Sequence, residues 1–401
     1  MKTPKIYYAG LYFLIAGLFS SCSSDDDNPS PDVTFEYLIS EEEAAQVSVE
    51  EIKARFPNPA AALLIASDVT AYRVTYKTQF PAGNPIEASG LVIIPKNKTE
   101  NLTLLGFQHG TITADNEAPS SYLPNGNMEA YVAGTVGASL AKGYIVVMPD
   151  YIGYGVSSNI PHPYQEKASL AQASLDMLRA AKELAISKEL GIRKEVRLVG
   201  YSEGGYATLA LHQAIEESAA DEFTVEASYP AAGAYDMLGT AEWVVSQNRD
   251  LEEGATGLYL WALVTYQQLY GINAQLTDIL QPAAAQSVAT AIAQGSITAA
   301  QLSNNPGEVF TPSFAQGIQQ GTNTAFVAAL QQNNSYDWKP NAPVVFFHAL
   351  ADDIVPVLNA QTAESTMKAL GANVQFVPLG NIGHREGANA YIQAVVPMLI
   401  Q

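Results

Sequence analysis

The chain has 401 residues, 48% apolar and 15% charged, which is enough material for one large core and an appended cap. It carries 20 basic and 40 acidic residues, and a net charge of −20 repels nucleic acid and anionic lipid head groups, leaving neutral or weakly charged small molecules as expected partners. A mean hydropathy near zero excludes a fibre or a disordered tail, and a single cysteine excludes disulfides and thiolate metal sites.

At the N-terminus, Met1-Lys2-Thr3-Pro4-Lys5 is basic, Ile6 to Phe19 is apolar, and Ser20-Ser21-Cys22 supplies small residues up to the cysteine. This pattern predicts a bacterial lipoprotein signal peptide over residues 1–21, with cleavage before Cys22 and lipid attached to it. The apolar run is too short and wrongly flanked for a membrane span. Ser23-Ser24-Asp25-Asp26-Asp27 resembles the surface-export signal of some Gram-negative lipoproteins; the plainer reading is a solvated acidic tether. The expected location is the outer membrane, facing outward. Loss of Lys2 and Lys5, with no acid removed, would take the net charge from −20 to −22. Residues 22–45 are then the lipidated cysteine and tether, and 46–401 the folded domain.

Strand signals follow at Ala71 to Gln79, Ile86 to Pro95, Leu102 to Gln108, Tyr144 to Pro149, Glu195 to Gly200, Thr224 to Tyr229, Ala342 to His348 and Val374 to Leu379. Helical patterns such as Ala168 to Ser187 lie between most of them. The alternation predicts an α/β fold: a doubly wound, mostly parallel, eight-stranded sheet whose first two strands are antiparallel. There is no internal repeat, and no Walker or dinucleotide glycine motif precedes a helix.

Gly200-Tyr201-Ser202-Glu203-Gly204 joins the apolar strand Glu195–Val199 to a helical pattern from Gly205 to Glu217. A strand turning into a helix within two residues must fold sharply, so the central serine is strained and its neighbours two away must be nearly free of side chain. Such a turn makes Ser202 a nucleophile candidate, with the helix N-terminus aimed at developing negative charge.

Residues 237–340, rich in Ala, Gln, Asn and Leu, interrupt the alternation and predict a helical lid between the sixth and seventh strands. Gly257 to Tyr266, which includes Trp261, is its most apolar part. It fits either a wall of an apolar acyl or aryl pocket or the helix that fastens the lid to the body.

A serine nucleophile needs a histidine base and a carboxylate to orient it, in the order Ser, Asp or Glu, His. After the strand ending at His348, Asp352 has the better spacing to Pro356, with Asp353 in reserve. His384, in the glycine-rich loop after the last strand, is the base. His212 reads as a packing or surface residue and His109 as a loop brace.

These landmarks resemble the serine esterases and lipases of the α/β-hydrolase fold, nearest their secretory-lipase branch. The resemblance rests on Gly200 to Gly205, Pro149-Asp150-Tyr151-Ile152-Gly153-Tyr154-Gly155, Gln108-His109-Gly110-Thr111 and the Asp352 to Pro356 step, and covers roughly residues 70–401. It implies an oxyanion hole built from the backbone N–H groups of Glu203 and Thr111, and no cofactor or metal. Tyr151, Tyr201 and Trp261 are candidate substrate contacts. Two departures stand out: Ala349 where glycine is commoner, and Glu203 where a small neutral residue is commoner, which would let Glu203 tune substrate charge preference.

The expected activity is carboxylic-ester hydrolysis of a small-molecule, lipid or glycan ester at the cell surface. A serine peptidase of aminopeptidase type on the same fold is the second enzyme reading. The non-enzyme alternative, a surface binding module on a retired hydrolase fold, usually lacks a triad member, and all three are present here. Motif residues do not encode acyl or alcohol specificity.

Overall fold

The structure, a computed structural model, describes residues 35–55, 62–81, 83–124, 126, 129–293 and 300–401. The expected signal peptide, Cys22 and the tether up to residue 34 lie outside the described residues. The strands are β1 (Leu38–Val47), β2 (Val69–Gln79), β3 (Pro85–Pro95), β4 (Leu102–Gln108), β5 (Tyr144–Pro149), β6 (Ile192–Tyr201), β7 (Thr224–Ala231), β8 (Val344–His348) and β9 (Val374–Pro378). Among the described residues they form one sheet in the order β1-β2-β3-β5-β4-β6-β7-β8-β9. Pairing is antiparallel from β1 through β3 to β5, and parallel from β5 through β4 to β9.

Parallel strands covered on both faces read as continuous apolar runs, and every residue of β5 is buried. Side chains of the inner strands alternate between two cores. Val92, Leu104, Ile145 and Val147 pack with Leu178 and Leu211, which belong to helices Lys167–Ser187 and Glu203–Ser218. Leu91, Ile93, Leu105, Val146 and Met148 pack on the other face, whose core includes Tyr391, Val395 and Leu399 of helix His384–Leu399. The Lys167–Ser187 helix starts where Glu166 accepts a hydrogen bond from the Ser169 N–H at 2.7 Å, and its Ala, Leu and Met residues supply the buried stripe.

The sheet has nine strands instead of the eight expected. The additional one, β1, is an edge strand that pairs with β2 through two register irregularities, and it begins at Leu38, upstream of the expected domain start at residue 46. Its sequence, Leu-Ile-Ser-Glu-Glu-Glu-Ala-Ala-Gln-Val, places three glutamates in a row where strand formers are expected. Charges and bulges are how exposed sheet edges avoid pairing with other chains, and they erase the apolar alternation that marks an inner strand.

With β1 counted, the helical insertion falls between β7 and β8. It includes helices Met237–Ser246, Ala255–Leu269, Pro282–Ala293, Pro312–Gln319 and Thr324–Gln332. Local chemistry starts them: Asp236 accepts from the Gly239 N–H at 2.8 Å, Thr311 from the Phe314 N–H at 3.2 Å, and Pro312 occupies a first-turn position where its missing N–H costs nothing. Leu260, Tyr266, Val288, Phe310 and Phe326 form the insertion's core, which continues into the body through Tyr151, Tyr164, Tyr206, Ile354 and Val355.

Candidate active site

The end of β6 and the start of the helix Glu203–Ser218 form the expected sharp turn. Ser202 has φ +59° and ψ −124°, a strained positive-φ conformation held by the helix behind it and by its N–H donating to the Ala231 carbonyl at 2.9 Å. A Cβ on Gly204 would overlap the Gln108 carbonyl oxygen, and one on Gly200 would overlap Gly204 itself. Both glycines therefore permit close backbone approach, which brings the end of β4 against the elbow.

Two loops complete the site. His384 Nε2 lies 2.8 Å from Ser202 Oγ, and His384 Nδ1 lies 2.7 Å from Asp352 Oδ2. Since a carboxylate only accepts, the Nδ1 proton faces Asp352 and the Nε2 lone pair faces the serine hydroxyl. Asp352 Oδ1 accepts from the backbone N–H groups of Ile354 and Val355 at 2.9 and 2.8 Å. Burial alone would raise the Asp352 carboxyl pKa, but hydrogen bonds and charge from His348 and His384 outweigh it and hold the group well below the usual carboxylate range. The arrangement can pass a proton from the hydroxyl to the imidazole while a fixed negative charge stabilises the imidazolium.

Beside Ser202 runs the loop after β4. A Cβ added to Gly110 would lie 3.4 Å from the Tyr201 carbonyl oxygen and 3.9 Å from Ser202 Cβ, so this loop passes next to the hydroxyl. Glu129 pins it by accepting from the Gly110 N–H at 2.9 Å, and Thr111 Oγ1 bonds the Tyr164 hydroxyl at 3.0 Å. The Thr111 N–H has no acceptor among the described residues. The Glu203 N–H opens its helix and has no partner within it.

Tyr151, Tyr201 and Glu203 fall elsewhere than expected. Tyr151 is fully buried, stacks on His109 at 4.1 Å and donates to the His109 carbonyl, so it braces the β4 loop and does not face a substrate. Tyr201 donates to the His384 carbonyl at 2.6 Å and holds His384 in place from behind. Glu203 turns inward: it is 1% exposed and paired with His162, which removes it from any role in sensing substrate charge. Trp261 stacks on Tyr164 at 4.4 Å, where the insertion meets the body.

Asp353 faces Arg249 of the insertion at 2.8 Å and not the imidazole, leaving Asp352 alone beside His384. His109 braces its loop through the Gly110 and Asp150 carbonyls. His212 is buried against Ser228 and Glu216, and Ala349 is buried. Sequence reasoning missed His348, whose Nε2–H donates to the Val355 carbonyl at 2.8 Å and lies 3.3 Å from Asp352 Oδ2. Its position four residues before Asp352 was the available signal.

The insertion contributes a small apolar cleft of about 40 Å³ lined by residues such as Met237, Val244, Tyr259, Leu263, Phe310 and Phe314. The Tyr259 hydroxyl donates to the Ile354 carbonyl, joining the wall of this cleft to the loop that carries Asp352.

Residues 128–394 match the family model described as secretory lipase. A secreted triacylglycerol lipase of Malassezia globosa is 22% identical over 354 residues, covering 82% of this chain and 70% of the relative. Among solved structures, a Legionella pneumophila protein is 27% identical with a TM-score of 0.79, covering 91% of this chain and 97% of its own. The rice cell wall degrading esterase of Xanthomonas oryzae is 25% identical with a TM-score of 0.75, covering 90% and 96%.

Proposed function

The chain belongs to the secretory lipase family, and from that premise we propose that it is a serine carboxylic-ester hydrolase acting outside the cytoplasm. Ser202 Oγ attacks the ester carbonyl while His384 Nε2 takes its proton. Asp352 fixes the imidazole tautomer, and the N–H groups of Glu203 and Thr111 hold the tetrahedral oxyanion. His384 then returns the proton to the leaving alcohol, and the acyl group stays on Ser202 until water, activated by the same histidine, releases the acid. The observation that carries this reading is the unbroken relay from Ser202 Oγ through His384 to Asp352, at 2.8 and 2.7 Å.

The apolar lining of the insertion supports an ester of hydrocarbon character, and Trp261, stacked on Tyr164 where the insertion meets the body and outside that lining, is the proposed substrate contact. Lipid on Cys22 would keep the enzyme at the outer membrane of a Gram-negative cell, facing outward. Hydrolysis of nitrophenyl esters of increasing chain length tests the reading, beside a feruloyl ester and an aminoacyl anilide. Wild type should cleave the esters and spare the anilide, and Ser202→Ala should lose on the order of a millionfold in turnover with its fold kept. A Ser202→Ala protein with a tenth of wild-type turnover would remove Ser202 from the mechanism.

A further inference from the structure

Directly behind the elbow lies a buried pair that the reaction does not consume. Glu203, first residue of the elbow helix, is 1% exposed, and its Oε1 stands 2.8 Å from Nε2 of His162, which is also buried. His162 Nδ1 is 2.6 Å from the Ile152 carbonyl oxygen; a carbonyl only accepts, so Nδ1 carries a proton. The short contact at Nε2 needs one further proton, on whichever of the two atoms holds it. Glu203 and His162 together are therefore a charge-neutral unit. The rings of Tyr154, Trp261 and Tyr164 surround the imidazole at 4.9, 5.5 and 6.1 Å, an environment in which an unpaired charge is expensive.

We propose that His162 is a positioning residue for the oxyanion site. It neutralises the Glu203 carboxyl and draws that side chain inward, so that the residue whose N–H holds the oxyanion does not also confront it with a negative charge. The inference rests on the ester-hydrolase reading. Charge near a developing oxyanion acts most strongly in a water-poor site, and a bare carboxylate there opposes the transition state more than the neutral substrate. The consequence is an asymmetry. Losing His162 strands a buried carboxylate beside the oxyanion site, whereas losing both charges does not.

The test uses the full chain with His162→Gln, the double variant His162→Gln/Glu203→Gln, and the apolar pair His162→Phe/Glu203→Leu. kcat and KM for a short nitrophenyl ester are measured per serine titrated with a fluorophosphonate, beside the melting temperature. His162→Gln should lower kcat about a hundredfold with little change in KM, the scale of losing one oxyanion donor. Adding Glu203→Gln should return about tenfold or more of that loss, although it removes a second native group. A purely structural pair gives the opposite order, because the double variant is then no better than the single.

Wild-type kcat in His162→Gln, or a double variant as slow as the single, overturns the inference. Should His162→Gln not fold, the apolar pair decides: kcat within about tenfold of wild type supports the proposal and a hundredfold loss refutes it. Absence of Ser202-dependent esterase activity in wild type would instead sink the ester-hydrolase reading itself.

Discussion

Replacing Asp352 by asparagine should disable the site through the position of one proton. Oδ1 of Asp352 accepts two backbone N–H bonds, from Ile354 and Val355, so the asparagine carbonyl oxygen must occupy that side. Its NH2 group is then forced to the Oδ2 side, 2.7 Å from His384 Nδ1 in the native geometry. Two donors cannot face each other, so Nδ1 must become the acceptor and the imidazole proton must move to Nε2. That proton now points at Ser202, and the base has no lone pair for the hydroxyl. A wrong-tautomer imidazole costs about four orders of magnitude in kcat. Asp353→Asn weakens only a half-exposed ion pair with Arg249 and should change kcat by about threefold or less. Steady-state hydrolysis of a short nitrophenyl ester, with thermal melting to establish folding, measures both. Equal losses in the two variants, or a larger loss for Asp353→Asn, would refute the orientation argument.

Other outcomes follow from the same contacts. Because the folded Asp352 pKa is depressed, its stabilising contribution is complete above the unfolded carboxylate value of about 3.9 and is lost as pH falls through the lower folded value; the stability gap between wild type and Asp352→Asn should therefore begin to narrow only below about pH 4 and keep narrowing as the pH falls further. Gly204→Ala must push the Gln108 backbone aside, so it should cost about 3 kcal/mol in denaturant unfolding and displace the Gly110–Thr111 loop, lowering kcat as well. Cys22→Ser should move the protein out of the detergent phase on phase partitioning with activity per molecule retained; a variant that stays in detergent would mean the apolar N-terminal segment anchors the chain uncleaved.

The elbow was legible in the sequence because its determinants are local: an apolar strand, glycines two residues either side of Ser202, and a helix within two residues. Asp352 and His384 were legible because each follows a strand in a loop whose composition marks it. Strand β1 was not, since Glu41, Glu42 and Glu43 hide an edge strand behind a charged run that reads as tether. The partner of Glu203 was also hidden. His162 lies 41 residues away, and their contact depends on how the loop after β5 folds over the elbow helix. The directions of Tyr151 and Tyr201 were unreadable for a related reason: an aromatic ring beside a motif can line a cleft or brace the backbone, and here each hydroxyl donates to a main-chain carbonyl.

The most direct test of the central claim is the mass of the intact protein after reaction with a fluorophosphonate, followed by peptide mapping. Wild type should carry a single adduct on Ser202, absent from Ser202→Ala and strongly slowed in Asp352→Asn. An unlabelled wild-type protein, or an adduct on any other residue, would contradict it.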